Sequence, residues 1–241
     1  SLRTARTNIV GLVVHDILNP YFAELVSAVE TELGRQGQTV ILYNHGDDPQ
    51  RQRQFLETLL QYRADGMILC PAAGTKAKDV ARIVEAGLPT VLIARELPDL
   101  AEVPVIRGDD RAGIRLAVEH LIGQGHTRIA LVGGQQESSA ASERRAGYED
   151  ALRAAGIPVD PALEFPAVAS RRAGRDICGE VLAAHPTAIV CFNDLLALGM
   201  LMELKRRGID PGRDISLTGY DDIDEASVWS PGFTSVWNGQ Q

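Results

Sequence analysis

The sequence predicts an α/β fold built from two doubly wound halves, each with a parallel sheet, and with a hinge and a ligand cleft between them. Short apolar runs alternate with amphipathic helical patterns along almost all of the 241 residues, an order typical of βαβ units. The alternation begins a second time after residue 107. Ligands of such folds bind beyond the carboxyl ends of the strands, so the residues that follow each apolar run are the candidates for a binding site.

Four apolar runs in the first half predict strands buried on both faces, as in a parallel sheet: 9–14, 39–44, 66–70 and 89–94. After the first run, apolar residues recur at the 3.6-residue spacing of a helix: Phe22, Leu25, Val26, Val29 and Leu33. Pro20 suits the opening turn of that helix, and Gly37 is placed to cap its C-terminus. A second helix is predicted to bury Phe55, Leu56, Leu59 and Leu60.

The second half repeats the pattern. Strands are predicted at 127–134, 187–192 and 214–222, and helices at about 142–155, 172–184 and 194–207. The two Rossmann-like series join near 107–110. We therefore expect one subdomain over 8–107 and another over 108–228, with a short polar segment, 1–7, ahead of them and a last segment, 229–241, after them.

Composition narrows the function classes. Hydrophobic residues make up 45% of the chain and the formal net charge is −8. Such an acidic chain is a poor candidate for neutralising nucleic-acid phosphates by itself. No apolar run approaches the roughly 20 residues that span a bilayer, so no membrane contact is expected. Cys70, Cys178 and Cys191 show no CxxC spacing, which favours buried thiols and a reducing, cytoplasmic compartment.

The spacings typical of catalytic, metal and cofactor sites are missing from the sequence. The five histidines form no HxxxH or HExxH pattern. There is no GxxxxGK[ST] loop, no GxGxxG after a strand and no GxSxG nucleophile elbow. We therefore expect no catalytic residues, no metal, no cofactor and no enzymatic activity.

Six motifs occur in one order along the chain: "NPYF", "DDRAG", "HLIGQGHTRIALVGG", "ERRAGY", "NDLLALG" and "GYDDI". In this combination the chain closely resembles, over essentially its whole length, the LacI/GalR family of bacterial transcription regulators. The resemblance implies the effector-binding and dimerisation region of a repressor that senses a small polar metabolite, a sugar or sugar derivative. The alternative is a related type I periplasmic sugar-binding protein of an ABC transporter.

The resemblance also bears on the two ends and on the partners. Residues 1–7 resemble the linker that follows a DNA-binding headpiece. The alternative is that Ser1 and Leu2 are vector residues before a ragged terminus, but residues 3–8 match the linker even then. Residues 229–241 resemble the crossover that returns to the first subdomain, apparently truncated. Operator DNA would then be bound by the missing headpiece, and the protein would be a cytoplasmic homodimer whose effector stabilises one of two relative subdomain orientations.

Nine residues at or beyond strand ends match family ligand-contact positions or lie in the same loops. A guanidinium suits vicinal hydroxyls and carboxylates because several donors lie in one plane, and carboxylates and amides complement hydroxyl groups. The resemblance thus implies ligand binding by Asp16, Asn19, Tyr21, Phe22, Arg95, Ser138, Arg144, Asn193 and Asp221.

Several of these residues have structural alternatives. Asn193 could simply cap a helix, Phe22 could pack in the core, and Arg144 could form a salt bridge with Glu143 or Asp150. Arg145 is expected to be solvated or packed through its stem, and Asp222 is expected to cap a helix or serve the hinge.

Two positions depart from relatives. Ala94 stands where sugar-binding relatives often have an Asp, which argues against a ribose-like ligand. Ser138 stands where purine-binding relatives have a basic residue, which argues against a purine.

Overall fold

The computed structural model describes residues 6–134, 137–230 and 232–239. The chain divides between Arg107 and Gly108 into two compact units, which we call unit 1 and unit 2. Residues 1–5 lie outside the described part, so the interpretation of 1–7 as a linker remains a prediction. No helix in the described ranges is long and apolar enough to cross a membrane.

Unit 1 has one parallel five-stranded sheet in the order β2-β1-β3-β4-β5. Its elements are β1 (Ile9–Val14), α1 (Pro20–Arg35), β2 (Thr39–Asn44), α2 (Pro49–Gln61), β3 (Gly66–Leu69), α3 (Ala77–Glu85), β4 (Thr90–Ile93) and β5 (Val105–Ile106). Alternate strand residues face opposite layers: Val13 and Leu69 pack with α2 and α3, whereas Leu12 and Val14 pack with α1. The sheet is therefore covered on both faces, as a doubly wound fold requires.

The predicted first helix and its caps are present in unit 1. Asn19 caps α1 by accepting from the amide of Tyr21, and Pro20 occupies the first turn. Gly37 follows the helix with φ +74°, a left-handed conformation that suits glycine. The prediction that 39–44 is buried on both faces is wrong, because β2 is an edge strand and its residues are exposed or half-buried.

Unit 2 also has one parallel five-stranded sheet, in the order β10-β9-β8-β6-β7. Its elements are α4 (Asp110–Gly123), β6 (Ile129–Val132), α5 (Ser139–Ala154), β7 (Glu164–Phe165), α6 (Arg171–Ala183), β8 (Ala188–Cys191), α7 (Asp194–Arg206), β9 (Ser216–Tyr220), α8 (Asp224–Val228) and β10 (Thr234–Val236). In β8, Ile189 and Cys191 pack with α6 and α7, while Ala188 and Val190 pack with α4 and α5.

The helices of unit 2 approach each other closely at glycines. A β-carbon on Gly147 of α5 would overlap the carbonyl of Arg111 in α4. A β-carbon on Gly199 of α7 would likewise overlap the carbonyl of Arg171 in α6. At these contacts α4 packs closely against α5, and α6 packs closely against α7. The close packing positions α5, which carries Arg144, and α7, which begins at Asp194.

One expectation for the end of the chain needs correction, and another stays a prediction. Residues 229–241 are predicted to return to the first subdomain; within unit 2, Thr234–Val236 pair in parallel with β9 as the edge strand. Asp222 does not cap α8, whose N-cap residue is Ile223. The Ile223 amide instead donates a hydrogen bond to Asp194 Oδ2, at 2.9 Å. Cys70, Cys178 and Cys191 are buried free thiols, as the sequence predicts.

Candidate functional site

The carboxyl edge of the unit 1 sheet carries a buried ion pair between Asp47 and Arg95. Asp47 follows β2 and Arg95 follows β4. Arg95 donates from Nη1 to Asp47 Oδ1 at 2.6 Å and from Nη2 to Asp47 Oδ2 at 3.3 Å. Arg95 Nη1 also donates to the carbonyl of Pro71 at 3.0 Å. Arg95 is thus at a strand end, as predicted, and is oriented by a carboxylate that the sequence reasoning missed.

Two histidines adjoin this pair. His15 Nε2 lies 3.6 Å from Asp47 Oδ2, and burial together with the charge of Arg95 lowers the pKa of His15 to about 4. His45 accepts from the Asp47 amide at Nδ1, and its Nε2 lies 2.9 Å from the carbonyl of Cys70. Burial also lowers the pKa of His45. Both rings are therefore neutral at pH 7, and the two contacts of His45 make its Nδ1 the acceptor and its Nε2 the donor.

The loop between β1 and α1 and the first turn of α1 hold four of the predicted residues. Asp16 Oδ1 accepts from the Leu18 amide at 3.0 Å, and Asn19 caps α1. Phe22 lies in the core beside Leu12 and Val14, and Tyr21 packs against the same cluster. The two aromatic rings meet edge to face with centroids 4.9 Å apart. Core packing thus accounts for most of the Phe22 surface, and the half-buried Tyr21 is the more accessible ring.

At the carboxyl edge of unit 2, Arg144 is held between two aromatic rings. Its guanidinium carbon lies 3.7 Å from the ring centre of Tyr220 and 4.3 Å from that of Phe192. Nε donates to Asp110 Oδ1 at 2.7 Å, Nη1 donates to the Phe192 carbonyl, and Nη2 lies 3.9 Å from Asp221 Oδ1. Burial opposes the charge, but Asp110 and Asp221 raise the pKa of Arg144, so it stays protonated.

The expected alternative partners of Arg144 were wrong. Its salt bridge is with Asp110 at the start of α4, whereas Asp150 pairs with Arg111. Arg145 is half-exposed and pairs with Glu149 at 3.1 Å and Glu164 at 2.9 Å. Arg144 is therefore the buried member of the arginine pair, as the sequence predicts.

The loop after β9 is strained and tied down. Asp221 has φ +108° and Asp222 has φ +55°, both unusual for residues with a side chain. The Asp222 amide donates to Ser235 Oγ, which in turn donates to Asp194 Oδ1 at 2.6 Å. Asp194 is fully buried, and burial raises its pKa to about 7. The network presents Asp221 at the same edge as Arg144.

Asn193 and Ser138 occupy helix N-termini at this edge. Asn193 Oδ1 accepts from the Leu196 amide at 3.1 Å and so caps α7, a role the sequence analysis had considered. Ser138 is the N-cap residue of α5, but its side chain makes no capping hydrogen bond. Its hydroxyl is buried and has no hydrogen-bond partner within the described ranges. A buried hydroxyl without a partner is costly, which is consistent with a group that meets a ligand.

A cleft of about 280 Å³ opens beside Arg144 within unit 2. It lies beyond the ends of β6, β7 and β8 and has a mixed apolar and polar wall. Its lining includes Gly133, Gly134, Ser142, Arg144, Phe165 and Phe192. The volume is close to the lower end of small-molecule sites, at about 300 Å³.

Comparison with known proteins identifies the family to which this chain is similar. Residues 7–237 match the family described as periplasmic binding proteins and sugar binding domain of LacI family. The chain is 31% identical to the HTH-type transcriptional regulator DegA of Bacillus subtilis, over 98% of this chain and 71% of DegA. It is 33% identical to the HTH-type transcriptional repressor PurR of Vibrio campbellii, again over 98% of this chain and 71% of PurR.

The chain belongs to the LacI family. Solved LacI-type regulators share its fold over almost its whole length. The transcription regulator CcpA of Lactococcus lactis has a TM-score of 0.89 at 25% identity, covering 97% of this chain and 86% of CcpA. A LacI family regulator from Enterococcus faecium with bound ribose has a TM-score of 0.86 at 28% identity, covering 96% of this chain and 84% of that one.

These relatives decide between the two functions left open by the sequence. DegA, PurR and CcpA are transcription regulators, and the chain is therefore interpreted as a LacI-family regulator rather than a transporter's binding protein. The predicted family and the α/β fold with two parallel sheets are confirmed.

Proposed function

We propose that this LacI-family chain is the effector-binding and dimerisation region of a repressor whose effector is a sugar or sugar derivative. The observation that carries the proposal is Arg144, buried between two aromatic rings and bonded to Asp110 at the carboxyl edge of its sheet. Burying an ion pair costs free energy, and well-packed apolar side chains in its place would stabilise the fold at least equally. A ligand-binding role explains why a guanidinium is kept there.

The proposed effector contacts are distributed over the carboxyl edges of both sheets. The carboxylate of Asp221 and the amide of Asn193 can form hydrogen bonds with effector hydroxyl groups beside Arg144, and Ser138 contributes a buried hydroxyl of its own. Tyr21 and Phe22 supply apolar surface. The proposed set remains the one that the sequence predicts: Asp16, Asn19, Tyr21, Phe22, Arg95, Ser138, Arg144, Asn193 and Asp221.

The proposed mechanism is regulatory and not catalytic. An effector can shift the protein between two states only by the difference in its affinity for them. We place the protein in the cytoplasm as a homodimer, because paired operator half-sites require matched DNA-binding headpieces. Operator DNA would be bound by a headpiece outside these 241 residues.

The experiment is a thermal-shift screen with sugars, polyols and nucleosides, followed by calorimetry on the best ligand. A ligand at 100 times its Kd stabilises a protein by about 2.7 kcal/mol. Arg144→Lys keeps the charge but loses the planar fork, and we expect it to weaken effector binding about tenfold or more. Asp221→Asn should weaken binding to a similar degree.

Arg153→Ala is the matched control, because Arg153 lies on the same helix and is exposed. It should bind the effector like the unmodified protein. Unchanged affinity in both Arg144→Lys and Asp221→Asn, with folding intact, would place the site elsewhere.

A further inference from the structure

Each unit has a buried guanidinium on its carboxyl edge, and each guanidinium is already paired with a carboxylate from a distant part of the sequence. Arg95 pairs with Asp47, 48 residues away, and Arg144 pairs with Asp110, 34 residues away. All four side chains are about nine-tenths buried or more. The two units therefore place the same kind of ion pair at the end of the sheet where we propose that the effector binds.

The charges near these pairs leave neither edge positive. In unit 1, Asp47 is ionised: burial acts against its charge, but the hydrogen bonds and charge of Arg95 hold the pKa of Asp47 below its ordinary value. His15 beside it is neutral. In unit 2, Arg144 meets two carboxylates, those of Asp110 and Asp221.

Other cations near these edges do not change this balance. Arg145 lines the unit 2 cleft, but Glu149 and Glu164 pair with it. Arg51 donates to the Asn44 carbonyl near the unit 1 edge, and its exposed charge is screened by water.

We propose that Asp47 and Asp110 are specificity residues that restrict the effector site to uncharged polar ligands. A carboxylate or phosphate group would bring a negative charge next to Asp47 or Asp110, or would have to displace one of them from its arginine. A hydroxyl group has no such cost, because it donates to a carboxylate and accepts from a guanidinium in the same contact. This inference rests on the proposed effector site and adds the charge class of its ligand.

Asp47 also bears on the departure at Ala94. Here Asp47 supplies a carboxylate to Arg95 from the loop after β2, and its Oδ1 accepts from the Ala73 amide as well, at 2.8 Å. A hydroxyl acceptor therefore remains at this edge despite Ala94, so a small sugar is compatible with unit 1.

The test compares neutral and anionic members of matched probe pairs. The probes are glucose with glucuronate, ribose with ribose 5-phosphate, and inorganic phosphate alone, measured by thermal shift and calorimetry. The variants are Asp47→Asn and Asp110→Asn, which keep an oxygen acceptor but remove the charge. Asp176→Asn is the control, because it removes one negative charge from an exposed pair with Arg172.

We expect the unmodified protein to bind no anionic probe more tightly than its neutral counterpart. Asp47→Asn and Asp110→Asn should each bind at least one anionic probe about tenfold more tightly than the unmodified protein does, because the arginine then loses the counter-charge that is hydrogen-bonded to it. Asp176→Asn should not. Circular dichroism establishes that each variant is folded. Should one variant fail to fold, the other variant and the probe pairs on the unmodified protein still decide the question.

Three results would overturn the inference: tighter binding of an anionic probe by the unmodified protein, no gain in either folded variant, or an equal gain in Asp176→Asn. The proposed function would survive any of them if Arg144→Lys still lost its neutral ligand. If both Arg144→Lys and Asp221→Asn bound that ligand with unchanged affinity, the proposed site itself would fail.

Discussion

Units 1 and 2 bury similar arginine–carboxylate pairs, yet the titratable groups next to those pairs differ in kind. In unit 1 the neighbours are histidines, and burial lowers the pKa of His15 from 6.5 to about 4. In unit 2 the carboxyl of Asp194 interacts with Asp221, which lies near Arg144, and burial raises the pKa of Asp194 from 3.8 to about 7. Burial disfavours the charged form in both cases, so the same physical cause gives shifts of opposite sign for a base and an acid.

This difference teaches that one chain can contain two units that respond oppositely to pH. Below pH 6.5, His15 binds a proton in the unfolded protein but stays neutral in the folded protein down to about pH 4. This difference lowers the stability of unit 1 as the pH falls from 6.5 to 4. Between pH 3.8 and 7 the folded Asp194 holds a proton that the unfolded one has lost. Asp194 therefore contributes stability to unit 2 that is lost as the pH rises through that range.

The largest effect we predict is on these two slopes. One pKa unit corresponds to about 1.4 kcal/mol, so Asp194 changes the stability of unit 2 by on the order of 4 kcal/mol between pH 4 and 7. His15 changes unit 1 by on the order of 3 kcal/mol in the opposite direction. Asp194→Asn should flatten the slope of unit 2 alone, and His15→Gln that of unit 1 alone.

Urea unfolding at several pH values measures both slopes. Trp229 and Trp237, the two tryptophans of the chain, belong to unit 2, so their fluorescence reports on that unit. Pulsed hydrogen exchange of β3 reports on unit 1. Slopes of the same sign in both units, or slopes unchanged by both substitutions, would contradict the contrast.

A second comparison between the two units concerns how much space surrounds a buried glycine. A β-carbon on Gly199 in unit 2 would overlap a backbone carbonyl, that of Arg171. A β-carbon on Gly11 in unit 1 would instead meet the methyl groups of Leu59, which can turn aside. Unit 2 is therefore less able to accommodate the same added methyl group.

We predict that Gly199→Ala destabilises unit 2 by about 3 kcal/mol, near the upper end of overpacking costs. The gain in helix propensity, about 1 kcal/mol, is smaller and does not reverse the sign. Gly11→Ala should cost about 1 kcal/mol because Leu59 can change its rotamer. The same urea measurements check both variants, and an equal loss in the two would mean that α6 and α7 can separate without penalty.

The sequence analysis predicts most of the elements with long apolar patterns, but it names neither α3 nor α4 and misses the shortest strands. α1, α5, α6 and α7 lie close to their expected bounds, and α2 contains the four residues predicted for it, because their apolar residues repeat over several turns. β5 and β7 contain two residues each, too few to show a period. β2 was expected to be fully buried, since apolar content alone does not distinguish an edge strand from a central one.

The site shows a similar limit. Arg95, Arg144, Asn193 and Asp221 could be named because the resemblance to the LacI/GalR family implies ligand contact at positions beyond strand ends. Their partners could not, since Asp47 and Asp110 reach the arginines from distant segments. One signal for Asp110 was present: in "DDRAG" the first aspartate, Asp109, caps α4, which leaves the second for another role.

The smallest effect we predict separates two roles of the Asn193 side chain, the capping of α7 and the proposed binding of the effector. Asn193 in unit 2 and Asp48 in unit 1 both cap helices through a side-chain oxygen. Removing such a cap costs about 1 kcal/mol, so Asn193→Ala and Asp48→Ala should destabilise their units by similar amounts.

Asn193→Asp sharpens the test, because it keeps the capping oxygen and loses the amide donor. If Asn193 also binds the effector through that donor, Asn193→Asp should keep the stability that Asn193→Ala loses but bind the neutral ligand about five- to tenfold more weakly, as expected for one lost hydrogen bond. Asp48→Asn, the matched exchange in unit 1, should leave ligand affinity unchanged. Calorimetry beside urea unfolding measures both quantities. Full ligand affinity in Asn193→Asp would reduce Asn193 to a helix cap and leave Arg144 and Asp221 as the polar contacts beside it.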